Sequence, residues 1–285
     1  MGISSRMRVF GTIGIGIALA GSVFGMASAQ QPIRTGVDAN FAPYVMPRLA
    51  GGLEGFNIDL GNELAKRLKR PIQIDGTEFS ALIPGLNAKK YDFVLAPTMA
   101  TAERAKTMLF SEGYMEADYR FLIKKGTPDI KSLEDLKGKT VSVNKGSVFE
   151  IWARQNGEKY GFKHDVYGTN ADAVQAVLSG RADANLAIYA VVMWAVKQNP
   201  LLVPSLVIKT GNVWTVAFRP DDAEGRAQFN MAIKCMKQDG TMARLYEKWF
   251  GEPPPADSWA RKVAPGHGVP DLPGYDPTPV TVTCS

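Results

Sequence analysis

Segments with the pattern of short strands alternate with segments of helical periodicity along most of the chain, and this alternation restricts the possible folds more than any other feature. Residues 91–96 have the pattern of a buried strand, and residues 60–68 place apolar side chains at helical spacing. Residues 140–143 and 184–188 repeat the strand pattern, with a helical segment at 171–178 between them. Such alternation is typical of a domain with a largely parallel sheet. We therefore predict an α/β fold.

Polar residues with helix-capping chemistry mark several predicted helix starts. Ser132 and Ser147 are each followed three residues later by an acidic residue, which is the spacing of a capping box. Ser80 is predicted to cap a helix from residue 81, and Thr101 to cap a helix that holds Arg104 in its first turn. These starts place Arg104 shortly after a buried strand.

The first 29 residues have the features of a cleavable signal peptide. Arg6 and Arg8 precede an apolar stretch rich in glycine and alanine, and Ala27-Ser28-Ala29 fits the small-x-small cleavage pattern. A membrane anchor is the alternative, but no basic stop-transfer segment follows the apolar stretch. We predict that residues 1–29 are removed and that the mature chain is exported to the periplasm.

Charge and hydropathy argue against two classes of partner. The full chain has a formal net charge of +5, which falls by two when Arg6 and Arg8 are removed, and its basic residues are scattered. This charge is too small and too dispersed to favour nucleic acid. No second long apolar run occurs, so the mature chain is not expected to be embedded in a membrane. The roughly 255 remaining residues suit one large domain or two moderate ones.

The two cysteines, Cys235 and Cys284, allow two states. An even cysteine count in an oxidising compartment favours a disulfide, which would tie the C-terminal tail to the helix predicted around Cys235. Two unpaired thiols are the alternative, because sequence spacing alone does not fix the distance between them. The two histidines, His164 and His267, form no cluster at metal-ligand spacing. We expect neither a metal site nor a cofactor.

The C-terminal segment 251–285 differs in composition from the rest of the chain. It contains eight prolines in 35 residues and shows no sustained periodicity. We predict an irregular tail that lies on the surface or is partly disordered.

Two features suit the binding of a carboxylate, which needs a guanidinium or the N–H groups of a helix N-terminus. Arg104 is predicted near a helix N-terminus, where a cation is unfavourable for the helix dipole, and this argues against a role in stability. A surface arginine paired with Glu103 is the alternative. The turn 144–150 follows a strand and begins a helix, so the N–H groups of Gly146 to Val148 would point into a crevice at the strand ends. A plain capped turn explains this pattern equally well.

Aromatic residues also occur in loops near the strand ends. Phe41 and Tyr44 flank Pro43, and Phe79 precedes a predicted helix. Loop aromatics beside a pocket can enclose a ligand side chain. Ordinary half-buried loop packing is the alternative for each.

Seven motifs occur in an order that is similar to one protein family. They are 36–44 (GVDANFAPY), 55–60 (GFNIDL), 81–86 (ALIPGL), 101–104 (TAER), 132–139 (SLEDLKGK), 180–183 (GRAD) and 246–251 (YEKWFG). With these motifs the chain resembles the family 3 extracellular solute-binding proteins, the polar amino-acid-binding receptors of ABC importers, from about residue 33 to residue 251.

The resemblance implies a type II periplasmic binding protein with two lobes joined by two crossing strands. Residues 31–124 and 212–250 would form the first lobe, and residues 127–208 the second. A ligand between the lobes stabilises a closed form that the importer's membrane subunits recognise. We expect a monomeric binding protein rather than an enzyme.

The resemblance also implies site residues. Arg104 would hold the ligand's carboxylate, and Gly146, Ser147 and Val148 would add backbone N–H groups from the other lobe. Five further residues are expected to line the pocket, namely Asp38, Phe41, Tyr44, Phe79 and Thr98.

Two positions depart from the family's pattern, and both concern the ligand's α-ammonium group. Relatives usually have Ser or Thr where this chain has Met99, and an Asp where it has Ile188. An ammonium buried against these two side chains would cost several kcal/mol without a partner. Unless Asp38, Glu78 or a nearby carbonyl replaces the lost anion, an ordinary α-amino acid should bind poorly. We therefore predict a ligand that carries a carboxylate but no free α-ammonium in the usual place. Candidates are organic or aromatic acids, N-substituted amino acids and cyclic derivatives.

Two other functions are compatible with the same fold. Cyclohexadienyl dehydratases resemble these receptors, and such chemistry would need a positioned acid; Glu78, Glu116 and Asp118 are the candidates. A protein that docks onto another periplasmic protein, without serving an importer, is the second alternative.

Overall fold

The computed structural model describes residues 1–3 and 31–284. The cleavage site and nearly all of the predicted signal peptide lie outside the described residues. Within the described ranges, none of the helices combines the length and the hydropathy needed to cross a bilayer.

A first sheet has six strands. Its main path runs β4-β1-β5-β13-β6, and β7 pairs with β13. The pairs β1–β4 and β1–β5 are parallel, whereas β13 runs antiparallel to its neighbours. The strands are β1 (Ile33–Asp38), β4 (Ile72–Thr77), β5 (Phe93–Met99), β6 (Leu109–Phe110), β7 (Met115–Glu116) and β13 (Val213–Phe218).

A second sheet has five strands in the order β10-β9-β11-β8-β12. β9 pairs in parallel with β10 and β11, and β8 runs antiparallel to β11 and β12. The strands are β8 (Tyr119–Lys124), β9 (Thr140–Asn144), β10 (Lys163–Tyr167), β11 (Ala184–Ile188) and β12 (Leu202–Ile208). A separate short hairpin consists of β2 (Met46–Pro47) and β3 (Leu53–Glu54).

Seven α-helices in the described part of the chain flank the sheets. They are α1 (Phe56–Arg67), α2 (Leu82–Asn87), α3 (Val148–Tyr160), α4 (Asn170–Leu178), α5 (Tyr189–Gln198), α6 (Ala223–Gln238) and α7 (Thr241–Phe250). The predicted α/β fold is therefore confirmed. The part of the chain around the first sheet is referred to below as the first lobe, and the part around the second sheet as the second lobe.

The chain passes between the lobes twice, at neighbouring positions. Ala117 and Asp118 connect β7 to β8, and residues 209–212 return from β12 to β13. Asp118 joins these two crossings, because its carboxylate accepts from Lys209 Nζ at 2.6 Å and from the Thr210 N–H at 3.1 Å. Residues 119–124 hydrogen-bond in the second sheet, whereas the predicted boundary placed them in the first lobe.

Three local predictions need correction. Arg104 lies in a three-residue 3-10 turn, Arg104–Lys106, rather than in an α-helix, although Thr101 Oγ1 does accept from its N–H at 3.2 Å. Ser80 lies inside a 3-10 turn and makes no cap for α2. Ser147 caps α3 as predicted, but the Glu150 carboxylate accepts from Gly146 instead of closing the box on Ser147. The capping box at Ser132 and Asp135 is present as predicted.

The C-terminal tail is irregular, as predicted, but it is firmly packed against the first lobe. One face of α6 presents Arg226, Asn230, Lys234 and Lys237 to the tail, and each side chain donates to tail carbonyl oxygens. The acceptors are the carbonyls of Lys262, Ala264, Gly266, His267 and Gly274. Cys235 of α6 and Cys284 of the tail form a disulfide with their Cα atoms 5.5 Å apart.

The tail also completes a buried ion cluster. Glu112 lies 2.5 Å from Lys234 Nζ and 2.6 Å from Lys237 Nζ, and all three side chains are at most 1% exposed. One carboxylate thus faces two ammonium groups. Because a buried charge needs full hydrogen bonding, the carbonyls of Ala264 and Lys262 supply partners that the first lobe alone would lack.

Candidate ligand-binding site

A cavity lies between the two lobes and contains about 320 Å³ of empty space, part of which is open to solvent. Residues of both lobes contribute to its wall, and polar and aromatic side chains converge on it. The lining residues are Asp38, Phe41, Phe79, Pro97, Arg104 and Trp214 of the first lobe and Asn144, Ser147, Val148 and Phe149 of the second.

Arg104 is the only cationic side chain on this wall. Its guanidinium has two long contacts to carbonyl oxygens, those of Met99 and Gly146, both at 3.4 Å, and it lies 5.7 Å from the centre of the Phe79 ring. Burial lowers the pKa of Arg104 to about 10, so the group stays charged at neutral pH. A guanidinium with weak internal partners can pair with a carboxylate through two parallel hydrogen bonds.

Asp38 is the only acidic side chain on the same wall. It ends β1 and is 1% exposed, and it accepts hydrogen bonds from Asn144 Nδ2 at 2.9 Å and from the Asn40 N–H at 3.3 Å. Burial raises the pKa of Asp38 to about 6, although both hydrogen bonds oppose this rise. The cavity therefore presents one group of each charge.

The second lobe closes on the first at Gly146. This glycine has φ +73°, and a Cβ atom added to it would lie 3.0 Å from Ser80 Cα of the first lobe. A side chain at this position would therefore hold the lobes apart. The N–H groups at this turn are mostly used within it, because Gly146 donates to Glu150 and Ser147 donates to the Asn144 carbonyl. Their predicted role as ligand donors has no support from this geometry.

The cavity does not contain all of the predicted site residues. Asp38, Phe41, Phe79, Arg104, Ser147 and Val148 lie on the wall, and Met99 and Gly146 touch Arg104 through their carbonyls. Thr98 is buried in the first sheet, where its hydroxyl donates to the Ala96 carbonyl. Tyr44 and Ile188 line a different groove, near the crossing segments.

Apolar side chains fill the region around Met99. Its sulfur lies 3.4 Å from the Tyr119 hydroxyl, and β13 places Trp214 directly opposite it in the first sheet. β11 pairs Ile188 with Tyr119 in the second sheet. Met99, Ile188 and Trp214 are each at most 2% exposed. None of these four side chains is a carboxylate, but Glu116 and Asp118 line the same groove as Ile188.

Four lining residues were not predicted from the sequence, namely Pro97, Asn144, Phe149 and Trp214. Asn144 ends strand β9 and is the first residue of the candidate turn 144–150. Its place in the sequence therefore gave a reason to include it among the site residues. Trp214 has the sequence pattern of an ordinary strand residue, so nothing in the sequence indicated that it lines the cavity.

The three carboxylates proposed for the enzyme alternative lie off the cavity wall. Glu116 accepts hydrogen bonds from the tail, from Ser258 Oγ at 2.9 Å and from the Trp259 N–H at 2.7 Å. Asp118 is engaged at the crossing segments, and Glu78 is exposed.

Residues 33–252 match the bacterial extracellular solute-binding proteins, family 3. The chain belongs to this family, and its two lobes have the type II periplasmic binding protein fold. The chain is 33% identical over 245 residues to the lysine/arginine/ornithine-binding periplasmic protein of Escherichia coli strain K12, covering 83% of this chain and 93% of that protein.

Two solved structures are similar along most of the chain. An ancestral arginine-binding protein bound to arginine is 37% identical with a TM-score of 0.75, covering 78% of this chain and 100% of the other. An ancestral amino acid-binding protein, described as a precursor of cyclohexadienyl dehydratase, is 35% identical with a TM-score of 0.71, covering 77% and 95%. The homologues are thus amino-acid-binding proteins of the periplasmic type.

Proposed function

We infer that this protein is the periplasmic substrate-binding component of an ABC importer and that it binds a small carboxylate in the interlobe cavity. The observation that carries this proposal is the pair of opposite charges, Arg104 and Asp38, on one cavity wall. Arg104 would bind the ligand's carboxylate, and Asp38 would accept from a cationic or N–H group at its other end. Phe41 and Phe79 would cover the apolar part between them.

The ligand lacks a free α-ammonium group beside its carboxylate. Met99 lies next to Arg104, and its neighbours Tyr119 and Trp214 offer no anion. An ammonium buried there would lose its hydration without gaining a charge partner, at a cost of several kcal/mol. The predicted signal peptide and the periplasmic relative from Escherichia coli support export of the mature chain.

Isothermal titration calorimetry with a matched pair of compounds tests this function. L-arginine and 5-guanidinopentanoate share the carboxylate and the guanidinium and differ only in the α-ammonium group. We expect 5-guanidinopentanoate to bind at least about tenfold more tightly, which corresponds to about 1.4 kcal/mol. Tighter binding of L-arginine would refute the missing-ammonium hypothesis.

The dehydratase alternative receives less support. Glu116 and Asp118 are bound to the tail and to the crossing segments, and neither reaches the cavity. Incubation of the purified protein with prephenate or arogenate, followed by chromatography of the products, tests this alternative directly.

A further inference from the structure

Trp214 is the one residue on the cavity wall that is large, buried and incompletely hydrogen-bonded. It is the second residue of β13 and is 2% exposed. Its indole Nε1 finds no hydrogen-bond partner among the described residues. A buried indole N–H normally has an acceptor, and leaving it unpaired is unfavourable. Trp214 therefore offers a donor that a bound molecule can satisfy.

The position of this donor relative to Arg104 is set by the first sheet. Trp214 pairs directly with Met99 across strands β13 and β5, so the two side chains project from the same face. The Met99 carbonyl in turn contacts the Arg104 guanidinium at 3.4 Å. The indole thus lies next to the residue that stands where relatives have the ammonium acceptor.

The indole N–H of Trp214 suits an oxygen atom of the ligand and not an ammonium group. An ammonium group only donates, and the indole N–H only donates as well, so the two cannot pair. The Tyr119 hydroxyl is already directed at the Met99 sulfur, at 3.4 Å. An oxygen atom on the ligand, by contrast, can accept from Trp214 Nε1.

We propose that Trp214 donates a hydrogen bond to an oxygen on the ligand carbon next to the carboxylate, so that the ligand is a 2-hydroxy or 2-oxo acid. This inference rests on the proposed function and specifies its ligand class. Arg104 and Trp214 together supply donors for the carboxylate and for the neighbouring oxygen. Elsewhere on the cavity wall, Asn144 Oδ1 is buried beside Asp38 and has no hydrogen-bond partner in the described part of the chain. These two groups would accept from N–H groups of the ligand.

The test adds a third compound, 5-guanidino-2-hydroxypentanoate, to the pair described above. The wild-type protein should bind the hydroxy compound at least about tenfold more tightly than 5-guanidinopentanoate. In Trp214→Phe, which removes the N–H and keeps an aromatic ring, this ratio should fall to about one. Trp259→Phe, in the tail and away from the cavity, should keep the wild-type ratio.

Equal binding of the hydroxy and unsubstituted compounds by the wild type would overturn the inference, as would a ratio that Trp214→Phe leaves unchanged. Neither result bears on the comparison with L-arginine, so a failure of the proposed function is recognised separately.

A spectroscopic measurement covers the case in which Trp214→Phe does not fold. The wild-type protein contains five tryptophans, and substitution of the other four with Phe, one at a time, identifies the Trp214 indole signal. In proton NMR spectra, the indole N–H signal of Trp214 should lie further downfield in the complex with the hydroxy compound than in the complex with 5-guanidinopentanoate. Identical chemical shifts with both compounds would contradict the proposed hydrogen bond.

Discussion

Asn144 Nδ2 of the second lobe lies 2.9 Å from Asp38 Oδ2 of the first lobe, and both residues line the ligand cavity. The same carboxylate is therefore available to the opposite lobe and to a bound ligand. A hydrogen bond to a charged group contributes about 1.5–3 kcal/mol when its partner is removed. Lobe closure and ligand recognition are coupled through this pair of residues.

Asn144→Asp should weaken ligand binding by about 10- to 100-fold. The substitution replaces the donor with a second carboxylate, so the two lobes repel each other at the cavity. Titration calorimetry with 5-guanidinopentanoate measures the effect at pH 7.5.

Two controls separate charge repulsion from a packing defect. The swap Asp38→Asn with Asn144→Asp restores one donor and one carboxylate, and it should recover part of the affinity. Lowering the pH to 5 should also reduce the repulsion in Asn144→Asp, because burial raises the pKa of Asp38 to about 6 and its protonated form is neutral. If the loss of affinity relative to the wild type at the same pH persists in both controls, repulsion is not its cause.

Arg104→Lys should reduce carboxylate affinity by at least about 100-fold, although the positive charge is kept. An ammonium cannot reproduce the planar, two-point pairing of a guanidinium, and lysine has a shorter donor reach. Lys106→Gln is the matched control, because Lys106 belongs to the same 3-10 turn but is exposed and paired with Glu103 at 2.6 Å. Equal losses in the two variants would argue against a direct role for Arg104.

Replacement of both cysteines, Cys235→Ala with Cys284→Ala, should lower the free energy of unfolding by about 2–4 kcal/mol. The disulfide closes a loop with a sequence separation of 49 residues, and its loss increases the conformational freedom of the unfolded chain. Urea unfolding monitored by circular dichroism gives the value.

Deletion of residues 252–284 should destabilise the first lobe more than the cysteine replacement does. It removes the carbonyl partners of Lys234 and Lys237 in addition to the cross-link. A deletion variant as stable as the double cysteine variant would show that these carbonyls contribute little.

Lys237 should make the protein more stable as the pH rises from 8 towards 10. Burial lowers the pKa of Lys237 from 10.5 to about 8, so between these values the unfolded chain binds more protons than the folded chain. The free energy of unfolding then increases with pH, by roughly 1.5 kcal/mol from this residue between pH 8 and 9.5. Below pH 8 the lysine is protonated in both states and its contribution is constant.

Lys237→Met isolates the contribution of this cluster, since groups outside it titrate alike in both proteins. As the pH rises across the same range, the free energy of unfolding of the wild type should increase relative to that of Lys237→Met. A difference that stays constant with pH would contradict the lowered pKa.

Local patterns were sufficient to predict the alternation of strands and helices, but not the contacts between distant segments. Arg104 reaches the cavity as expected because it follows a buried strand, even though its helix is only a 3-10 turn. Trp214 could not be assigned, because its role depends on which strand β13 pairs with. The docking of the tail could not be predicted either, because Lys234 and Lys237 have the sequence pattern of a solvated helix face but bind tail carbonyls.

The attachment of the tail makes the C-terminus a fixed point on the first lobe. Every hydrogen bond from residues 252–284 to an earlier part of the described chain goes to β7 or α6, and none goes to the second lobe. The only two cysteines of the sequence are joined in the disulfide, so thiols introduced by mutation can be labelled selectively. One dye could be attached to the tail at Asp271 and another at the exposed Val166 of the second lobe. Energy transfer between the dyes would report the distance between the two labelled positions as the lobes open and close.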